Sequence, residues 1–219
     1  MKNRKKVLAA LLAGVMTLSM GTTVFAAAED GYALKATNTE AKSPDNDLVI
    51  AIEGSVSSMD PANIPDTNAI SATRGCYEML VAFDENQEIQ GQLAESYEVS
   101  EDSLTYTFHL REGVKFTDGT DFNAAAVKAN YDRIIDKENN LRQRRTFVVT
   151  GEDGSETYRV ESIETPDDYT VVFKLTEPWA PFINRMTQIC MISPAALEEY
   201  GNDIMNHPVG TGQIGRAHV

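Results

Sequence analysis

Leu104-Thr105-Tyr106-Thr107-Phe108-His109-Leu110-Arg111 alternates strictly, with Leu104, Tyr106, Phe108 and Leu110 on one side and Thr105, Thr107, His109 and Arg111 on the other. That period of two defines a half-buried β-strand. Glu112-Gly113 is a turn, Val114-Lys115-Phe116 reads as a continuation of the sheet, and Thr117-Asp118-Gly119-Thr120 is a second turn. Asn123 then stands where a helix N-cap is needed. The run Ala124 to Asp136 places Val127, Tyr131, Ile134 and Ile135 on one helical stripe.

Downstream, Thr157 to Ile163 and Tyr169 to Leu175 read as a β-hairpin joined through Pro166-Asp167-Asp168. Tyr169, Val171, Phe173 and Leu175 share a face of its second strand. Pro178-Trp179-Ala180-Pro181 breaks that strand and starts a short helix, with Trp179 as a core anchor. Ser193 caps another helix, with Pro194 at its first position and Gly201 after its end. Upstream, Leu48 to Glu53 reads as a mostly buried strand, Gly54 to Ser58 as a loop, Thr67 to Glu78 as a helix with Ile70, Ala72, Cys76 and Tyr77 inward, and Leu80 to Phe83 as a short strand. Clustered strands with fewer helices give an α+β pattern.

Both ends call for separate treatment. Lys2, Arg4, Lys5 and Lys6 precede an apolar run from Val7 to Met20, and Ala26-Ala27-Ala28 precedes Glu29. This order predicts a signal peptide over residues 1–28, cleaved after Ala28. Cleavage leaves 15 Lys and Arg against 33 Asp and Glu, a charge near −18. No Cys lies near the cleavage point, so a lipid anchor at that N-terminus is not expected. The predicted location is secreted or periplasmic, at the outer face of the cell membrane. Residues 29–46 lack an apolar period and read as a solvated leader. Residues 214–219, Ile-Gly-Arg-Ala-His-Val, match one reading frame of a common sequencing adapter. They are read as an artefact, with Gln213 a hybrid codon and the natural chain continuing past Gly212.

The chain has 219 residues, 42% hydrophobic and 24% charged, with a formal charge of −14. That composition suits a globular domain and excludes a fully disordered or collagen-like chain. Such acidity argues against nucleic acid as a partner. Catalytic signatures are sparse: no His or Cys cluster has metal-ligand spacing, and no P-loop, G-x-S-x-G or H-E-x-x-H occurs. No cofactor is expected. A secreted hydrolase would have to build a nucleophile–base pair on His109 or His207. Cys76 and Cys190 either pair or form two separately buried thiols. Arg142, Arg144 and Arg145 form a basic cluster, which is either a solvated helix end or a carboxylate clamp. Tyr77 is either core or the wall of a cleft.

In order, several segments resemble the solute-binding proteins of ABC importers that take up peptides, glutathione or nickel (family 5). They are Leu48-Val49-Ile50-Ala51 with Met59-Asp60-Pro61, Tyr77-Glu78-Met79-Leu80, Gln92 to Tyr97, Leu104 to Phe116, Asp118 to Ala124, Ile192-Ser193-Pro194 and Pro208-Val209-Gly210-Thr211-Gly212. Phe122 to Asn130 is most like the glutathione and dipeptide branch, although Ala126 stands where much of the family has Asp. The resemblance implies a two-lobed α/β clamshell, α+β-like within this stretch. Residues 47–213 would form its N-terminal lobe (lobe I), with lobe II missing. It further implies capture of an oligopeptide, a dipeptide or glutathione-like ligand, for a membrane permease complex by a monomeric protein that does no chemistry. The cleft-facing candidates are Gly54, Ser55, Val56, Ser57, Ser58 and Met59, together with Tyr77, Arg142 and Arg145. The alternatives are a nickel-chelate binder or a secreted sensor sharing the fold. For nickel, Ile189-Cys190-Met191 occupies the place where an arginine often stands.

Overall fold

The computed structural model describes residues 53–64 and 66–212. The predicted signal peptide, leader, strand from Leu48 and adapter-like tail lie outside the described residues. The described chain runs through a 3-10 turn Pro61–Asn63, then α1 (Thr67–Thr73), β1 (Val81–Phe83), β2 (Ile89–Gly91), β3 (Ala94–Val99) and β4 (Thr105–Leu110). α2 (Ala124–Ile135), α3 (Arg144–Phe147), β5 (Val148–Thr150), β6 (Glu156–Tyr158), β7 (Val160–Asp167) and β8 (Thr170–Leu175) follow. α4 (Phe182–Met186), α5 (Pro194–Tyr200) and a 3-10 segment Gly201–Asn206 end it.

The alternating strand is β4, near the middle of an antiparallel sheet ordered β3-β4-β8-β7. Tyr106 faces Phe173 and Phe108 faces Val171 across the β4–β8 ladder. Register therefore puts both apolar rows on one face. Tyr106, Phe108, Leu110, Val171, Phe173 and Leu175 are all buried there. α2 covers that face. Its Asn123 cap accepts the Ala126 N–H at 3.0 Å, and Val127, Tyr131 and Ile134 are buried as the stripe requires. The Tyr131 and Phe173 rings lie 4.7 Å apart, with Phe147 and Phe182 completing the aromatic centre. Trp179 packs at its border with Arg159 over the ring at 4.7 Å. The outer strands β3 and β7 both carry register shifts, which blunt the sheet edges. Tyr97 and Val99 oppose Phe108 and Tyr106 yet remain exposed, so the apolar face extends past its helical cover.

Three expectations are corrected. The first helix ends at Thr73, leaving Cys76 and Tyr77 in the turn beyond, and Ile70 is exposed. Glu156–Tyr158 does not continue into β7: it pairs with β5 as a separate hairpin. Val114 to Phe116 does not extend the sheet: Lys115 makes an isolated bridge to Asp121 around the turn where Gly119 has φ +87°.

A second apolar cluster holds Met59, Cys76, Tyr77, Ile192, Ala196 and Ile204. Segment 209–212 straps it together through Gly212 N–H to Cys76 C=O (3.0 Å) and Ser193 N–H to Val209 C=O (3.0 Å). Close approach needs glycine here, because a Cβ on Gly210 would stand 2.1 Å from the Cys76 carbonyl oxygen. Asn130 ties this cluster to α2. Its buried amide donates to Ile192 C=O at 2.7 Å and accepts Ile192 N–H at 3.0 Å.

Candidate ligand site

The loop from Gly54 to Met59 is held at several points. Gly54 has φ +107°, in the left-handed region, and a Cβ there would stand 2.6 Å from Asn68 Nδ2. Ser57 Oγ donates to Asp66 Oδ2 at 2.7 Å, while Asp66 caps α1 by accepting Ala69 N–H at 2.9 Å. The Ala69 amide and then the Ser57 hydroxyl hold the Asp66 carboxyl below its ordinary pKa. Ser58 Oγ accepts Asp60 N–H, and Met59 N–H donates to Met205 C=O at 3.1 Å. Gly54, Ser55 and Ser57 are exposed, Val56 is half-buried against the second cluster, and Met59 is buried inside it. The loop therefore offers its first residues to solvent and anchors through its last.

Tyr77 takes the core position. It is 2% exposed, packs in the same cluster as Met59, and burial drives its hydroxyl far above the usual phenol pKa. Cys76 and Cys190 are free thiols, both pushed upward by burial, Cys190 to about 12. Ile189 and Met191 beside Cys190 are buried.

The loop leads into Asp60, whose carboxylate receives both terminal nitrogens of Arg133 at 2.7 and 3.2 Å and the Ala62 N–H at 3.0 Å. Ala62 C=O in turn accepts Gln143 N–H at 3.1 Å. This contact brings the arginine segment beside the loop's exit. Arg142 and Arg145 share an open depression of about 590 Å³ with Asn63, Asn140, Arg144 and Thr150. That volume lies within the usual range for small-ligand sites. Tyr77 does not line it.

The three arginines have different roles. Arg144 is committed internally, with its terminal nitrogens on Glu156 at 2.8 and 3.3 Å and Nε on Ile135 C=O at 2.8 Å. Arg142 and Arg145 are exposed, with no ion-pair or hydrogen-bond partner among the described residues. The Arg144 hydrogen bonds, then those from Lys137, hold the Glu156 carboxyl at about 2. A carboxyl depressed in the fold adds stability above its unfolded pKa and loses it as pH falls through the folded value. Glu156→Gln is therefore expected to unfold earlier in urea at pH 7. The gap from wild type should close between pH 4.5 and about 2. A gap unchanged at pH 2.5 would contradict this.

Among the described residues, neither His109 nor His207 sits in a nucleophile–base pair. His109 Nε2 is 3.6 Å from Glu98, and His207 stacks on Tyr200 at 4.1 Å beside Asp203. No group of three His, Cys, Asp or Glu able to hold a metal occurs among the described residues.

The profile of the Bacterial extracellular solute-binding proteins, family 5 Middle, matches residues 88–213, more than half of the chain. The chain belongs to this family. It is 42% identical over 168 residues to the glutathione-binding protein GsiB of Shigella boydii, covering 76% of this chain and 31% of that protein. The periplasmic binding protein AgaA of A. tumefaciens R10, solved with agropinic acid, superposes with a TM-score of 0.67 at 31% identity, over 76% of this chain and 32% of that one. The periplasmic binding protein DppA of Helicobacter pylori, solved with the peptide STSA, gives 0.58 at 32% identity, over 73% of this chain and 34% of that one. The chain thus spans about a third of the length of these relatives. Among the described residues no helix is long and apolar enough to cross a membrane.

Proposed function

We propose that this chain is part of an extracytoplasmic protein that captures a small peptide, a dipeptide or glutathione-like molecule, and delivers it to an ABC importer. The observation that carries this reading is the pair of unpartnered arginines sharing one depression in a chain of charge −14. Guanidinium forks bind carboxylates bidentately, and every peptide with a free C-terminus carries one. Gly54, Ser55 and Ser57 present backbone and hydroxyl groups that tolerate varied side chains. Val56, Ser58, Met59 and Tyr77 support the loop from behind. Closure of a second lobe over the ligand completes capture, and no bond of the ligand breaks. The glutathione-binding and peptide-bound relatives support this ligand class.

The test is calorimetric titration of the complete protein with glutathione and a dipeptide panel, followed by mass spectrometry of the released ligand. One-to-one binding with the ligand recovered intact is expected. Failure of every peptide to bind, or recovery of cleaved ligand, would overturn the reading.

A further inference from the structure

The arginine depression also specifies the charge of its ligand, an inference that rests on the peptide-capture reading above. Of its three arginines, only Arg144 is neutralised, and the carboxylate that does so, Glu156, is shared with Lys137 at 3.2 Å. Among the described residues no Asp or Glu lines the depression. Two positive forks therefore face the ligand, and no negative group stands there to receive an ammonium. Covering an arginine without supplying a counter-charge is strongly unfavourable, because the guanidinium loses water and gains no partner. A ligand with one carboxylate satisfies one fork and leaves the other covered and unpaired. A ligand with two carboxylates satisfies both with charge-assisted bonds. Arg145 stands in the helical turn Arg144–Phe147 and Arg142 in the turn just before it, so the backbone presents both forks from one short segment. The Arg144–Glu156 pair and the Gln143 contacts to Ala62 C=O and Gln188 C=O (2.8 Å) hold that segment.

We propose that Arg142 and Arg145 each take one carboxylate, so that the site selects peptides bearing two carboxylates over zwitterionic peptides bearing one. Any ammonium on the ligand lies away from this depression, towards the loop.

The experiment titrates the complete protein with three probes: glutathione, its glycine monoethyl ester, and Ala-Gly. Wild type should bind glutathione about tenfold or more tightly than the ester, the scale expected for one charge-assisted contact. Arg142→Gln and Arg145→Gln, each checked for an unchanged unfolding midpoint, should weaken glutathione about tenfold and narrow the preference for it over the ester. Should either variant fail to fold, Arg142→Lys and Arg145→Lys replace it: a retained point charge without the fork should still bind glutathione more weakly. Equal affinity of wild type for glutathione and its ester overturns the inference, as do variants that keep wild-type affinity. Those outcomes leave peptide capture standing. Silence from all three probes removes peptide capture, and this inference with it.

Discussion

Asp60→Ala is expected to lower the unfolding free energy by about 3–5 kcal/mol, the loss typical when one member of a buried ion pair is removed. The Asp60 and Arg133 side chains are only 7% and 12% exposed, and both terminal nitrogens of Arg133 lie on the one carboxylate. The substitution leaves the guanidinium enclosed without a counter-charge. It also frees the Ala62 N–H at the start of the 3-10 turn. With total stabilities of about 5–15 kcal/mol, such a loss is a large fraction of the fold. Urea denaturation should show the midpoint fall with little change in slope. The double variant Asp60→Ala/Arg133→Met should recover part of the loss, because it removes the stranded charge as well. A single-variant loss below about 1 kcal/mol would show the pair to be solvated rather than buried.

Phe173→Ala is expected to cost about 3–5 kcal/mol, from lost transfer energy and from the cavity left behind. Phe173 is fully buried, and its ring lies 5.7 Å from Phe108, 4.7 Å from Tyr131 and 5.6 Å from Phe182. It therefore joins β4, α2 and α4 at one point, and the surrounding rings are too constrained to collapse fully into the gap. Phe173→Leu, which keeps most of the volume, should cost markedly less. Thermal unfolding followed by near-ultraviolet circular dichroism reads both. A loss below about 2 kcal/mol for the alanine variant would place the packing centre elsewhere.

The parts legible in the sequence were those governed by neighbours in the chain. The alternation from Leu104 to Leu110, the Asn123 cap and the Ser193-Pro194 start of α5 all carry their cause within a few residues. The helix expected to reach Glu78 stops at Thr73, and beyond it Cys76 C=O serves Gly212, a partner far away in sequence. The strand read as Thr157 to Ile163 is divided because Glu156–Tyr158 pairs with β5. At the candidate site, the basic cluster was visible as composition. Which arginines stay unpaired was not, since Arg144 finds its acid twelve residues on and Asp60 finds Arg133 across 73 positions. Tyr77 stood equally between core and cleft wall, and the second cluster, assembled from four separate stretches, decides it as core.

The strap at residues 209–212 bears on the order of events during synthesis. Gly212 meets Cys76, and Gly210 C=O accepts Thr117 N–H at 2.9 Å, so these contacts form only after almost the whole described chain has been made. The hairpin of β7 and β8 needs only neighbouring residues and is free to form early. Closing long loops is entropically costly and slow, so the seat of Met59 and Tyr77 belongs to the last step of folding. Until that step, a nascent polypeptide can already join its loop to its arginine turn through Asp60–Arg133 and the Gln143–Ala62 contact, but Met59 and Tyr77 lack their seat. The anchor of the loop is therefore completed late in the synthesis of the described residues.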